Sequence, residues 1–335
     1  MPLQEMAERF TKITGTGVYI PPNRLTNNDL VERLRKEYEV ETSDAWIRER
    51  TGIKERRVSQ LSNVEQGTIA LQQALKAARM EPSDLDLIIC ATNTQEFLFP
   101  ARGAKIQENI QKIIENNYNC IAAVDIQAGC SSGMFAEDIA DSYIKSGKAN
   151  TIAVIATDTL TRRTNYKERS TCILFGDGAA AEILTISQEP GFIAFDKGTD
   201  GRIADTIFCK TLPDKGQETP CLTMNGREVY EHAVKRMKES VKRVLELGEK
   251  TINDISLFIA HQANARINES VARKLEIPPD RCFSNIEKYG NVSCPSIFIC
   301  RHEAYGTRKL KPGDITLSVV IGSGFTWLSS LYREI

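Results

Sequence analysis

Two passages of this 335-residue chain are each written twice. DLDLIICA at 84–91 and DISLFIAH at 254–261 lie 170 positions apart, and each follows a segment of helical period and an acidic turn. CILFGDGAAAEIL at 172–184 and SVVIGSGFTWLSSL at 318–331 both read as strand, G-x-G turn and second strand, with Gly176 matching Gly322 at an offset of 146. Repetition in the same order points to one folding unit built twice. The smaller second offset predicts shorter connections in the later half. Length agrees, because it exceeds the range that one hydrophobic core usually fills. The expected organisation is an N-terminal half over 1–188 and a C-terminal half over 189–335, joined near QEPGF, each a mixed sheet flanked by helices.

Short runs of Val, Ile and Leu alternate with longer stretches of helical period, the pattern of an α/β protein with buried strands. Residues 120–160 spell one β-α-β unit. VDI reads as a buried strand, Phe135, Ile139 and Tyr143 recur at helical spacing up to a Lys145-Ser146-Gly147 ending, and TIAVIATDTL is the next strand. With 43 basic and 44 acidic residues the net charge is −1, so no bulk attraction to nucleic acid or to an anionic membrane is expected. The start, MPLQEMAERF, has no apolar core of signal-peptide length and no later run approaches a membrane span, which predicts a cytoplasmic protein. Nine cysteines, with no C-x-x-C pair and several inside apolar runs, predict reduced thiols and no metal site.

Glycine-rich turns raise a nucleotide-binding reading, and their context argues against it. TGTGVYIPPN has Ile20 where a third glycine belongs and Pro21-Pro22 where a helix would have to start. GDGAAA at 176–181 satisfies G-x-G-x-x-A but runs into EILTI, a strand-like segment, so no helix N-terminus faces a pyrophosphate. Tight hairpins and close backbone approach account better for these glycines.

Cys130, in QAGCSSG, differs from the other eight cysteines by its place at a β-to-α corner. There, helix N–H groups and the macrodipole favour a thiolate, and the small neighbours Gly129, Ser131, Ser132 and Gly133 let a carbonyl reach the sulfur. Of three histidines, His232 and His302 fall among charges on expected exposed helix faces, whereas His261 follows the strand ISLFIA and projects into any cleft at its C-terminal end. Asn291 sits in the glycine-flanked turn YGNVSCP. Together these three residue types serve two chemistries. In a cysteine hydrolase, histidine takes the thiol proton and the amide orients the imidazole. In a carbon–carbon condensing enzyme, the sulfur holds an acyl group while histidine and amide donate to a thioester oxygen as an enolate develops.

The ordered set DIQAGC, FGDGAAA, HQANARI, YGNVSCPS and GSGFTW, with TSDAWIRERTGIKERR at 42–57, resembles the β-ketoacyl-[acyl-carrier-protein] synthase III family of the thiolase superfamily over nearly the whole chain. The resemblance implies a duplicated, five-layer αβαβα thiolase-like fold with mixed sheets, and a homodimer. It also implies an acyltransferase that initiates fatty acid synthesis without a cofactor. Cys130 would take the acyl group of an acyl-coenzyme A, commonly acetyl-coenzyme A in this family, and malonyl-[acyl-carrier-protein] would then lose carbon dioxide and condense with it. His261 and Asn291 would stabilise the enolate, and the backbone N–H groups of Cys130 and Ser323 would form the oxyanion hole. Thr42, Trp46, Arg50, Arg169 and Asn264 match the coenzyme A side of the family's site. Arg266, Arg273 and Lys274 match a basic docking face for the carrier protein, and Phe99 a residue inserted into the acyl pocket of the dimer partner.

The chain departs from the family pattern at Ser131-Ser132, Ser170, Glu231, Cys294-Pro295 and Ser323, and residues 32–41 look lengthened. These departures leave the condensation intact and bear on the primer. The nearest alternative is a same-family enzyme using another acyl group in a biotin-precursor or secondary-metabolite route. A cysteine thioesterase and an inactive partner subunit are further alternatives, the second opposed by the presence of Cys130.

Overall fold

The computed structural model describes residues 8–112, 120–212, 221–307 and 310–335; residues 1–7 of the MPLQEMAERF start lie outside them. Strand β1 (Phe10–Tyr19) leads to a two-stranded ribbon, β2 (Arg24–Thr26) with β3 (Glu55–Arg57), that brackets α1 (Asn27–Tyr38) and α2 (Asp44–Thr51). Then come α3 (Asn63–Ala78), β4 (Leu87–Ala91), α4 (Arg102–Gln111), β5 (Ala122–Ile126), α5 (Ser132–Lys145), β6 (Thr151–Thr159), the short α6 (Arg169–Cys172) and β7 (Asp177–Ser187). The chain continues as β8 (Phe192–Thr199), a ribbon of β9 (Ile207–Cys209) and β10 (Leu222–Met224), α7 (Gly226–Leu247), β11 (Leu257–Ala260) and α8 (Ala265–Lys274). It ends with β12 (Cys282–Phe283), the short α9 (Ile286–Tyr289), α10 (Ser296–Thr307), β13 (Ile315–Gly322) and β14 (Thr326–Arg333).

Two five-stranded sheets share one topology. The first is ordered β1-β7-β6-β4-β5 and the second, read from the matching edge, β8-β14-β13-β11-β12. In each, the first two pairings are antiparallel and the last two parallel. Strands β4, β6 and β11 are buried along their whole length, so both sheet faces need cover. From between the sheets, α5 supplies Ala136, Ala140 and Ile144, and α10 supplies Ile297, Phe298 and Cys300, to a core shared with Val154 and Leu328. On the outside of the first sheet, Ala70 and Leu71 of α3 and Ile106 of α4 meet Ile88 and Ile155. Val241 of α7 and Val271 of α8 cover the second sheet over Phe258 and Leu317. The layers therefore run helix, sheet, helix, sheet, helix, as expected.

Two contacts explain sequence features. Where α3 crosses β1, a Cβ on Gly17 would lie 2.2 Å from the Ala70 carbonyl, so TGTG permits helix-on-strand packing. In the central layer the fully buried Arg301 of α10 bonds Glu137 of α5 at 2.5 Å and Glu182 of β7 at 2.7 Å, tying α10 to the first sheet. Burial holds the Glu182 carboxyl well above its ordinary range.

Four expectations need correction. VDI is not a buried strand: β5 is a sheet edge, and Val124 is 48 % exposed. CILF is not a strand either, because the counterpart of β13 is β6, and the 160–176 connection with α6 separates β6 from β7. Thus Gly176 forms no hairpin; its N–H donates to the Asn291 carbonyl at 3.0 Å. Helix α5 has the expected ends, but the Phe135, Ile139, Tyr143 stripe is its wetter side, since small residues face the two sheets. Finally, His232 and His302 are half-buried, the first beside the Phe325 ring and the second bonded to Thr16 Oγ1 at 2.8 Å.

Candidate active site

Cys130 lies in the turn between β5 and α5, held by its polar neighbours. Ser132 Oγ accepts from Ala128 N–H at 2.7 Å and donates to the Gly129 carbonyl at 2.6 Å. Ser131 Oγ meets Thr326 Oγ1 at 3.1 Å. The serine pair singled out in the sequence thus pins the turn from both sides. A Cβ on Gly322 would sit 2.6 Å from Cys130 N, and one on Gly129 would sit 2.5 Å from Ser323 N, so the two backbone segments run in direct contact. Only glycine allows that approach.

The expected activation of the thiol by helix dipoles is not what the structure gives. Helix α5 begins at Ser132, so Cys130 precedes its first turn, and the Ser131 and Ser132 N–H groups bond to the Ala128 and Gly129 carbonyls. Burial pushes the thiol up to about 11, against the Ser293 hydroxyl, which donates to Sγ at 3.4 Å; the Asp158 charge adds to the rise. The resting sulfur is a protonated thiol.

His261 follows β11 directly, as the sequence suggests, and is 2 % exposed. Its backbone N–H donates to the Val319 carbonyl at 2.8 Å and its Nδ1 meets Ser296 Oγ at 2.6 Å. Burial lowers it to about 3, so the ring is neutral. Asn291 is fixed by its backbone to Leu174 and Gly176, and its Oδ1 accepts from Ser293 N–H at 2.8 Å, leaving the amide nitrogen as the free donor end. Among the described residues no hydrogen bond joins the His261 and Asn291 side chains.

A cavity of about 420 Å³ brings together Cys130, His261, Asn291 and Ser323. Its outer wall includes Trp46, Arg50, Arg227, Glu231, Asn264 and Arg266. Cys130 and Ser323 also border a second cavity of about 460 Å³, walled by Asn93, Leu160, Phe175, Phe208 and Leu222. The nucleophile candidate therefore stands between two spaces, whereas His261 and Asn291 face only the first.

The remaining predicted residues divide. Arg169 stacks over the Trp46 ring at 4.0 Å, with Arg50 at 5.8 Å. Asn264 caps α8 through Arg266 N–H and donates to the Arg50 carbonyl at 3.0 Å, so its polar atoms are already engaged. Thr42 borders neither cavity. Arg266, Arg273 and Lys274 are exposed on α8 with Glu269 between them, and Arg227 pairs with Glu231 at 3.1 Å. Phe97, Leu98 and Phe99 are 50, 79 and 83 % exposed, and Phe99 borders neither of these two cavities. Sequence reasoning missed Ser293, Ser296, Asn93 and Asp158. The two serines lay in plain view inside YGNVSCPS, but nothing in a sequence says which hydroxyl meets which ring.

A half-buried thiol beside two backbone N–H groups, with an imidazole and an amide across one cavity of a duplicated αβαβα fold, defines the acyl-transferring class of thiolase-fold enzymes. Residues 124–201 match the family described as 3-oxoacyl-[acyl-carrier-protein (ACP)] synthase III, and residues 245–334 match its C-terminal counterpart. The β-ketoacyl-[acyl-carrier-protein] synthase III of Aquifex aeolicus is 41 % identical over 96 % of this chain and 99 % of its own; that of Methylococcus capsulatus is 37 % identical over 97 and 99 %. The crystal structure of the Aquifex aeolicus protein superposes with a TM-score of 0.88, covering 97 % of this chain and 100 % of that one. A priming β-ketosynthase from the R1128 polyketide pathway, 25 % identical, gives 0.90 over 99 and 98 %. The chain belongs to the β-ketoacyl-[acyl-carrier-protein] synthase III family.

Proposed function

We propose that this acyltransferase joins an acyl-coenzyme A primer to malonyl-[acyl-carrier-protein] by decarboxylative Claisen condensation, the opening step of fatty acid synthesis. Cys130 Sγ attacks the primer carbonyl, and the oxyanion is held by the Cys130 and Ser323 N–H groups. Coenzyme A leaves as its thiol, carrying the proton the cysteine gives up. The malonyl thioester then enters the first cavity and loses carbon dioxide. Electrons of the broken C–C bond move onto the thioester oxygen, where Asn291 Nδ2–H and His261 Nε2–H donate. The resulting enolate carbon attacks the acyl-Cys130 carbonyl, and the thiolate departs to give a 3-oxoacyl product.

One observation carries this reading over a thioesterase. Imidazole and amide are each held by a different serine and share a cavity without bonding each other, which suits two donors to one oxygen. In a hydrolase the amide would orient the ring. The reading requires the tautomer in which neutral His261 takes the Ser296 proton on Nδ1 and carries its own hydrogen on Nε2, and the Nδ1–Oγ contact accommodates it.

The same reading assigns the first cavity to the pantetheine arm and the second to the primer chain. Coenzyme A's base would displace Arg169 from the Trp46 ring and stack between them. The carrier protein docks on α8 through Arg266, Arg273 and Lys274. A second copy of the chain covers the Phe97–Leu98–Phe99 loop and the β5 edge, Phe99 reaching the partner's primer chamber. We divide the chain at 188/189, place it in the cytoplasm, and require no cofactor beyond the two thioester substrates. The breadth of the second cavity and the likeness to a priming ketosynthase favour testing primers longer than acetyl. Intact-mass measurement after incubation with acyl-coenzyme A thioesters of increasing length, followed by malonyl-carrier and carbon dioxide detection, is the test. A single acyl adduct mapped to Cys130 and discharged only with malonyl donor is expected; discharge to free acid without donor would turn the assignment to a thioesterase.

A further inference from the structure

Behind the nucleophile lies a chain of polar groups that the reaction as described does not use. Asp158, at the end of β6, is completely buried, and its carboxylate accepts from Asn93 N–H at 2.7 Å, Thr94 N–H at 3.0 Å, Thr94 Oγ1 at 2.8 Å and Asn93 Nδ2 at 3.1 Å. The Cys294 thiol donates to the same carboxylate at 3.1 Å. Asn93 Nδ2 also lies 2.9 Å from the Gly129 carbonyl and 3.1 Å from Ser293 Oγ, so its two hydrogens are shared among three acceptors. Because the serine oxygen accepts from Asn93, its own proton is left for its other neighbour, Cys130 Sγ at 3.4 Å. The contacts form one line: carboxylate, amide, hydroxyl, sulfur.

Resting on the assignment of Cys130 as nucleophile, we propose that Ser293 is a further catalytic residue whose hydroxyl stabilises negative charge on the Cys130 sulfur, with Asn93 the positioning residue that aims it. A sulfur carries such charge twice, when it attacks the primer and when it departs in the condensation. A hydroxyl fixed beforehand loses no reorganisation energy at either moment. Asp158 cannot take the hydroxyl's place, since an acceptor of like charge next to a thiolate opposes it. Its part is to polarise and fix Asn93. Other titratable or charged groups around Cys130 are Cys294 behind it, His261 across the first cavity with Arg50, Arg227, Tyr230, Glu231 and Arg266 on its outer wall, and Arg163, Asp205 and Cys209 across the second.

The test reads Cys130 alone, by peptide mass spectrometry of iodoacetamide adducts between about pH 7 and about pH 10.5, with acylation by acetyl-coenzyme A measured alongside. Losing one hydrogen bond to a charged group raises a thiol by roughly one pH unit, which leaves tenfold less thiolate at fixed pH, partly offset by the greater nucleophilicity of the more basic sulfur. Ser293→Ala is therefore expected to slow alkylation about threefold across this window, all of which lies below the thiol's own titration at about 11, and Asn93→Ala to act in the same direction. Ser293 has φ 61°, so Ser293→Gly serves as a second variant that suits the backbone should alanine fail to fold. Equal or faster alkylation in the serine variants overturns the proposal. An effect of Ser293 without one of Asn93 removes the aiming role. Iodoacetamide needs no substrate, so absence of acyl adducts in the unmodified enzyme would overturn the nucleophile assignment and still leave the Ser293 measurement readable.

Discussion

The two sheets are built to one plan, yet their equivalent positions do opposite things. By the registers of β4 with β6 and of β11 with β13, Asp158 and Gly322 occupy matching places at the ends of matching strands. In the first half that place holds a buried carboxylate that organises Asn93, Thr94 and Cys294. In the second half it holds no side chain, and the backbone comes against Cys130 N instead. Likewise, the turn after β4 supplies Asn93 as a half-buried brace, and that after β11 supplies His261 to the cavity. On the proposed reading, one half shapes and holds the nucleophile, and the other brings the groups that face it. A duplicated fold can divide labour because a β-strand end fixes where a residue sits but not what it is.

This division makes predictions that mutation can break. The largest effect is expected from Cys130→Ala, which abolishes acyl adducts by intact mass yet leaves measurable carbon dioxide release from malonyl-carrier, since decarboxylation belongs to the second half. Asn291→Ala should do the reverse, retaining the adduct while decarboxylation falls by about 10²–10³-fold, the usual loss for a donor to a developing oxyanion. If that variant decarboxylates normally, the labour is not divided as drawn. Gly322→Ala tests the matched position itself. Its Cβ would meet Cys130 N and the Ala128 carbonyl, so acylation should fall by about tenfold and stability by about 1–3 kcal/mol in thermal melts.

The smallest effect concerns pH. His261 is lowered by burial from 6.5 to about 3, so the stability of keeping it neutral is present above 6.5 and is lost as pH falls toward 3. Between about pH 7 and about pH 5.5 the melting temperature should drop by about 2 °C more than in His261→Gln. A variant as acid-sensitive as the parent would mean the ring titrates normally.

Much of this was legible beforehand because the signals were local or repeated. The strands at 84–91 and 254–261 matched as written, and Cys130, His261 and Asn291 stood out by their places at element ends. What escaped depended on contacts distant in sequence. CILF carries the apolar run of a strand, but Ile173 and Leu174 instead close a small core over α1 and α2, and Leu174 anchors the Asn291 backbone. The ionisation of Cys130 was misread because the sequence shows a helix nearby but not that the turn's own carbonyls consume its first N–H groups. Ser293 and Asn93 are 200 residues apart, and only the folded chain sets the amide behind the hydroxyl that meets the sulfur.

That Cys130 borders two separate spaces has a kinetic consequence. On the proposed reading, a loaded Cys130 would park its cargo on one side while a single doorway on the other empties for the next visitor. Both thioesters use that doorway in turn, so steady-state velocities should follow parallel double-reciprocal lines, and free coenzyme A should compete with the malonyl donor rather than merely reverse the first step.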